Sequence, residues 1–141
     1  MANLEDSTVP IRIRLAALWT SVLFCYIYAD YFGLYVPGAL QKMLDGTMEP
    51  LGPVTQKVLL GTSLMMAIPS LMVCLSVLMP ASLARWLNVI VGLAYTVIIL
   101  LTMWSWQFYV FFGVIEVGLT ISVAWIAWRW PREGSRQHID D

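Results

Sequence analysis

The sequence predicts an all-α integral membrane protein, a single domain built as a bundle of four transmembrane helices. Of its 141 residues, 60% are apolar and only 12% are charged, which is about half the charged fraction of a soluble domain. Three long stretches carry at most one charge each: 15–41, 58–84 and 86–128. One helical crossing needs about 20 apolar residues. The first two stretches therefore hold one crossing each, and the third holds two.

The first two spans are predicted at about residues 15–36 and 53–79. Pro53 suits the first turn of a helix, because the N–H that proline lacks has no partner at that position. Pro69 lies inside the second span. We expect it to kink the helix and to free a carbonyl group that a neighbouring helix satisfies.

The third and fourth spans are predicted at about residues 83–103 and 107–130. Ser82 and Ser105 are placed to cap their first turns, and Pro131 ends the fourth helix. Because the connections between spans two, three and four are short, these three helices are expected to pack as antiparallel neighbours.

The remaining segments are an outer loop at 37–52 and a cytoplasmic tail at 131–141. The loop contains an amphipathic piece at 40–44 followed by Gly46 and Pro50. We interpret it as a short interfacial helix or as a cap over the outer end of the bundle.

Basic residues predict the orientation. Six arginines flank one side of the spans and two lysines flank the other, so the positive-inside rule places both termini in the cytoplasm. The six are Arg12, Arg14, Arg85, Arg129, Arg132 and Arg136, against Lys42 and Lys57.

Asp30 and Glu116 are the acidic residues that fall within the predicted spans. An acid at the bilayer centre costs at least about 2.5–3.5 kcal/mol, so it normally faces the bundle interior and marks a functional site. Counting along each helix places the two acids about 9 and 13 Å from its outer end. At such similar depths the two carboxyl groups can share one cavity. Mutual repulsion and desolvation should then keep at least one of them protonated near pH 7 and make the pair titrate as a coupled unit.

Each span also has a face of small or polar residues, which we expect to turn toward the bundle interior. Such faces serve either ligand binding or plain helix packing. On the second span this face comprises Gln56, Ser63, Ala67, Ser70 and Cys74. The candidate ligand-binding residues of the whole chain are Asp30, Glu116, Tyr26, Tyr95, Tyr109 and Asn88. The alternative is that each acid is neutral and hydrogen-bonded to a tyrosine or to Asn88.

Several classes of chemistry find no support. The net charge of −1 offers no electrostatic footprint for nucleic acid. The only histidine, His138, lies in the tail, so neither a His-ligated metal nor a bis-His haem is expected within the bundle. Phosphate-loop and nucleophile motifs are missing from the sequence. We predict no cofactor, no metal site and no catalytic residue.

Three segments carry a resemblance to a known family: Tyr26–Asp30, Arg85–Ile90 with Asn88, and Ile115–Glu116. At these positions the chain resembles small, uncharacterised four-span bacterial membrane proteins, assigned only to a domain of unknown function and DoxX-like in layout. The resemblance implies a four-helix fold and a bacterial inner (plasma) membrane location, and no established activity.

Our leading functional hypothesis is that Asp30 and Glu116 bind or transport a small cation or a proton-coupled ligand. Tyr26, Tyr95 and Tyr109 would add cation–π attraction. The expected partners are the lipid bilayer, a small cationic or amphipathic ligand, and further copies of the chain in a homo-oligomer. The alternatives are a structural or accessory membrane subunit and a lipid- or quinone-handling enzyme.

Overall fold

The computed structural model describes residues 8–131, so the predicted tail beyond Pro131 lies outside the described residues. Four of its helices are long and apolar enough to cross a membrane. In chain order the elements are α1 (Ile11–Gly33), α2 (Ala39–Leu44), β1 (Thr47–Met48), β2 (Gly52–Pro53), α3 (Gln56–Leu78), α4 (Ala81–Thr102) and α5 (Gln107–Trp128).

The four long helices form an up-down-up-down bundle. Helix α1 packs on α3 and α5, and α4 packs on α5 and α3. Arg12, at the start of α1, donates hydrogen bonds to the carbonyl groups of Val77 and Met79 at the end of α3, so these two helices are antiparallel. We call the end where α1 and α4 begin the arginine end, and the opposite end the loop end.

Helix ends differ from the predicted ones at several places. Helix α1 stops at Gly33, because the next three N–H groups bond three residues back and Pro37 disfavours helical backbone at Val36. Helix α3 starts after Thr55, whose Oγ1 accepts a hydrogen bond from the Val58 N–H at 3.3 Å.

The predicted caps at Ser82 and Ser105 are wrong. Helix α4 begins at Ala81, which leaves Ser82 inside the first turn. Helix α5 has Trp106 at its N-cap position, and neither helix has a side-chain cap.

The predicted outer loop contains α2 and a two-stranded antiparallel ribbon, β1–β2. Lys42 and Glu49 form an exposed ion pair with an Nζ–Oε1 distance of 2.7 Å. The main contacts of α2 are with β1, and none of its residues is buried. The loop therefore does not cover the bundle. Leu40 and Leu44 of α2 are exposed. Exposed apolar side chains are consistent with the other interpretation of the loop, a short interfacial helix.

The hydrophobic core lies toward the arginine end. Its buried cluster comprises Leu15, Trp19, Val22, Met72, Val89, Tyr95, Val123 and Ala127. Gly92 lets α4 approach α5 closely, because a Cβ atom there would lie 3.1 Å from the backbone oxygen of Thr120. The two helices meet through their backbones at this point.

The predicted inward face of α3 is wrong. Its buried residues are Pro69, Met72 and Ser76, all in the half nearer the arginine end. The small side chains expected to face inward are exposed: Ser63, Ala67, Ser70 and Cys74. Helix α3 packs through the line that contains Pro69, which turns the small residues outward.

Candidate functional site

Two of the six predicted site residues, Asn88 and Tyr95, belong to hydrogen-bonded contacts that hold the bundle together. The side chain of Asn88 is fully buried. Its Oδ1 accepts hydrogen bonds from Trp19 Nε1 at 2.8 Å and Ser76 Oγ at 3.1 Å, and its Nδ2 donates to the Ala84 carbonyl at 2.8 Å. Asn88 thus joins α1, α3 and α4 with both ends of its amide group.

Tyr95 replaces the helical hydrogen bond that α3 lacks because of Pro69. Proline has no N–H, so the carbonyl four residues earlier, that of Met65, loses its helical partner. The Tyr95 hydroxyl donates a hydrogen bond to this carbonyl, while its ring meets Trp19 edge to face at a centroid distance of 6.0 Å. The prediction that a neighbouring helix satisfies the carbonyl freed by Pro69 is confirmed.

A third polar contact joins α4 and α5. The hydroxyl groups of Thr96 and Thr120 lie 2.7 Å apart. Each hydroxyl also lies within hydrogen-bond distance of a carbonyl in its own helix, Gly92 for Thr96 at 2.8 Å and Glu116 for Thr120 at 2.9 Å. Because a hydroxyl has one hydrogen, one threonine donates to the other, and the acceptor donates to its own helix. Both threonines are buried, so they hold α4 against α5 one helical turn from Glu116.

The other four predicted residues have no such partners. Within residues 8–131, the side chains of Asp30, Glu116, Tyr26 and Tyr109 make no hydrogen bond to protein, and the ion pair in that part of the chain joins Lys42 to Glu49. Glu116 is 4% exposed, and a buried polar group normally has a hydrogen-bond partner. Among the buried polar residues of 8–131, Glu116 is the one whose side chain makes no hydrogen bond, although its carboxyl oxygens are not fully shielded.

The four residues lie along the seam between α1 and α5. Asp30 is within electrostatic range of Glu116 and Tyr109, and Glu116 is within range of Tyr26. The Tyr109 hydroxyl packs against Gly33, where a side chain would collide with it. The absence of a side chain at Gly33 brings the start of α5 against the end of α1 and places Tyr109 beside Asp30.

The two acids differ in depth and exposure. Asp30 lies three residues before the end of α1, about 4.5 Å along the axis, whereas Glu116 lies about 13 Å from the start of α5. Asp30 is exposed and Glu116 is buried. Asp30 therefore occupies the mouth of the seam, nearer the loop end, and Glu116 its interior.

Aromatic rings pack between α1 and α5 near the loop end. Phe32 of α1 stacks on Phe112 of α5 at 6.3 Å and meets Phe108 edge to face at 6.5 Å. Phe108 in turn lies 4.4 Å from the Tyr109 ring. A separate open depression of about 710 Å³ lies at the α4–α5 turn, lined by 105–108, and does not include the acids.

Sequence reasoning missed Trp19 and Ser76 as partners of Asn88. Both lie in otherwise apolar stretches, and the sequence gives no signal that three different helices meet at one amide. It also missed Gly33 as the residue that admits Tyr109. A glycine followed by a tyrosine-bearing helix is too common a pattern to indicate such a contact.

Fold and composition together define a bundle of four helices that are long and apolar enough to cross a membrane, with a pair of acids in the seam between the first and last of them. The chain belongs to DUF6326, a family of unknown function, whose model matches residues 10–136. Neither a curated protein nor a solved structure matches the chain.

Proposed function

We propose that this protein lies in the bacterial inner membrane with both termini in the cytoplasm. There it binds a small organic cation between α1 and α5 and releases a proton in exchange. The observation that carries the proposal is Glu116, a residue that is 4% exposed and whose carboxyl group makes no hydrogen bond within residues 8–131. In a low-dielectric interior such a group needs a proton or a cation, because an unpaired ionised carboxylate is costly.

The two acids have different roles in this proposal. Asp30 is exposed at the mouth of the seam and attracts the cation. Glu116 is buried and holds the proton when the site is empty. An approaching positive charge favours the ionised form of a carboxyl group, so the proton leaves as the cation enters.

The surrounding rings indicate which cations fit. Tyr26 and Tyr109 present aromatic faces, which attract cations most strongly when water is excluded. Phe32, Phe108 and Phe112 add apolar surface at the mouth. This combination favours an organic cation with aromatic or alkyl substituents over a bare metal ion, which prefers several oxygen ligands.

Tetraphenylphosphonium is a suitable probe, because it combines a delocalised charge with four aromatic rings. Purified protein in weakly buffered detergent solution should bind it and release protons, as followed with a pH indicator. Glu116→Gln should abolish proton release, and Asp30→Asn should weaken binding. The matched control is Asp45→Asn, which removes an exposed acid of the outer loop and should behave as wild type.

The pH dependence supplies a second test. Because protons compete with the cation for Glu116, the affinity of the wild-type protein for tetraphenylphosphonium should rise with pH. In Glu116→Gln this dependence should flatten. If both acid variants bind the probe with wild-type affinity and release protons as before, the proposal is wrong.

A second candidate function, a structural or accessory subunit, is favoured by the exposed small residues of α3. Small side chains on a helix surface allow close approach of another helix in the membrane. Ala67→Leu and Ser70→Leu should then change the oligomeric state or the co-purifying membrane proteins without affecting tetraphenylphosphonium binding. Unchanged assembly in both variants would contradict this candidate.

A further inference from the structure

Charges in the described part of the chain are segregated between the two ends of the bundle. All four arginines within residues 8–131 lie at or near the arginine end: Arg12, Arg14, Arg85 and Arg129. The acids of the same range lie in the other half or in the outer loop: Asp30, Asp45, Glu49 and Glu116. The described part of the arginine end thus carries positive charge without a carboxylate beside it.

The arginines are not equivalent. Arg12 is committed to the end of α3, since its Nη1 donates to Val77 at 2.8 Å and to Met79 at 2.5 Å. Arg129 lies over the Trp125 ring, 4.1 Å from its centroid. Within residues 8–131, Arg85 makes a single hydrogen bond, from Nη2 to the Trp128 carbonyl at 3.2 Å.

The guanidinium group of Arg85 is positioned by two tryptophan rings, and most of its N–H donors have no acceptor within residues 8–131. Its guanidinium carbon lies 5.4 Å from the Trp86 ring and 5.8 Å from the Trp128 ring, and these two rings meet edge to face at 6.1 Å. Its Nε is buried without a hydrogen-bond partner within residues 8–131. A guanidinium group has five N–H donors, so one bond to a carbonyl leaves most of its capacity unused.

We propose that Arg85, Trp86 and Trp128 bind the phosphate of one anionic phospholipid at the arginine end, in the groove between α4 and α5. A guanidinium group matches phosphate oxygens in a bidentate geometry. Tryptophans at the ends of membrane helices lie at the level of the headgroups. Basic pockets between membrane helices recognise anionic headgroups on this principle.

The neighbouring surface argues for a lipid over free phosphate. Below Arg85 on α4, the side chains of Ile90 and Val97 are exposed, and Ile121 and Trp125 are exposed on α5. These four exposed apolar side chains, which we call the apolar strip, follow Arg85 toward the loop end on α4 and α5. An acyl chain of the same lipid can lie on this strip, which an inorganic anion cannot use.

The test compares lipids and variants on the purified full chain. Native mass spectrometry and thermal unfolding in detergent are run with phosphatidylglycerol and with phosphatidylcholine of the same acyl chains. Phosphatidylglycerol should give a one-lipid adduct and raise the Tm, and phosphatidylcholine should do neither. Inorganic phosphate at the same concentration should leave the Tm unchanged.

Two variants assign the effect to Arg85. Arg85→Gln should reduce retention of phosphatidylglycerol about tenfold, because it removes a charge-assisted contact. Arg85→Lys should give an intermediate loss, since it keeps the charge without the planar fork. The matched control is Lys57→Gln, which removes a cation at the loop end and should retain the lipid as wild type does.

Several results would overturn the proposal. Equal retention of the two lipids would show that the headgroup does not determine binding. This comparison needs only the wild-type chain. Wild-type retention by Arg85→Lys and Arg85→Gln would place the lipid elsewhere. An equal rise of Tm with inorganic phosphate would make this a simple anion site.

Discussion

The contact between Tyr95 and the Met65 carbonyl can be tested by removing a single oxygen atom. Tyr95→Phe keeps the ring against Trp19 but leaves the carbonyl without its donor. Hydrogen bonds between membrane helices contribute about 0.6 kcal/mol on average and up to about 1.7 kcal/mol. This carbonyl also lacks a helical partner because of Pro69, so we expect the free energy of unfolding to fall by about 1–1.5 kcal/mol.

A double-mutant cycle isolates the physical reason. Pro69→Ala restores the N–H that bonds the Met65 carbonyl within α3, so in that background Tyr95→Phe should cost less than about 0.5 kcal/mol. The assay is reversible unfolding by SDS titration in mixed micelles. Tyr28→Phe, at an exposed tyrosine of α1, is the control and should change the free energy of unfolding by less than about 0.5 kcal/mol. An equal cost of Tyr95→Phe in both backgrounds would refute the link to Pro69.

Two further predictions concern packing and orientation. Gly92→Val should destabilise the bundle by about 1–3 kcal/mol in the same SDS titration, because it overpacks the contact with α5. Gly118→Ala should be neutral or stabilising, since nothing lies within 4 Å of a Cβ atom there. Equal effects of the two variants would contradict the close approach of α4 and α5. In a variant without the native cysteines, Gly46→Cys should react with an impermeant maleimide in intact cells, whereas Ser135→Cys should react only after lysis. Labelling of Ser135→Cys in intact cells would show that the orientation is opposite to the predicted one.

Much of the candidate site was accessible from the sequence, because charge is rare in these spans. Asp30 and Glu116 stand out in their apolar stretches without any knowledge of packing, since burying a charge in a membrane is costly. The sequence did not indicate that Asn88 and Tyr95 belong to other contacts and not to the site of the two acids. Those contacts depend on Trp19 and Met65, which lie 69 and 30 residues from their respective partners in the chain.

The number, length and approximate position of the four apolar helices follow from the sequence alone. Backbone groups in an apolar stretch must bond within their own helix, so a long run without charge already specifies a spanning helix. The inward polar faces of α4 and α5 also follow, since Asn88, Gly92 and Thr96 on α4, and Glu116 and Thr120 on α5, recur at helical spacing and are buried as expected.

Only the tertiary structure decided which side of α3 faces its neighbours and which polar residues remain without partners. Helix α3 is apolar on nearly all sides, and lipid and protein interior are equally apolar, so hydropathy cannot indicate its rotation. Pro69 settles it, because the carbonyl that it frees must face the Tyr95 hydroxyl. The same packing satisfies Asn88 and leaves the Glu116 carboxyl group without a hydrogen bond to residues 8–131. The hydrogen-bond donors from α1 and α3 meet at Asn88, nearer the arginine end.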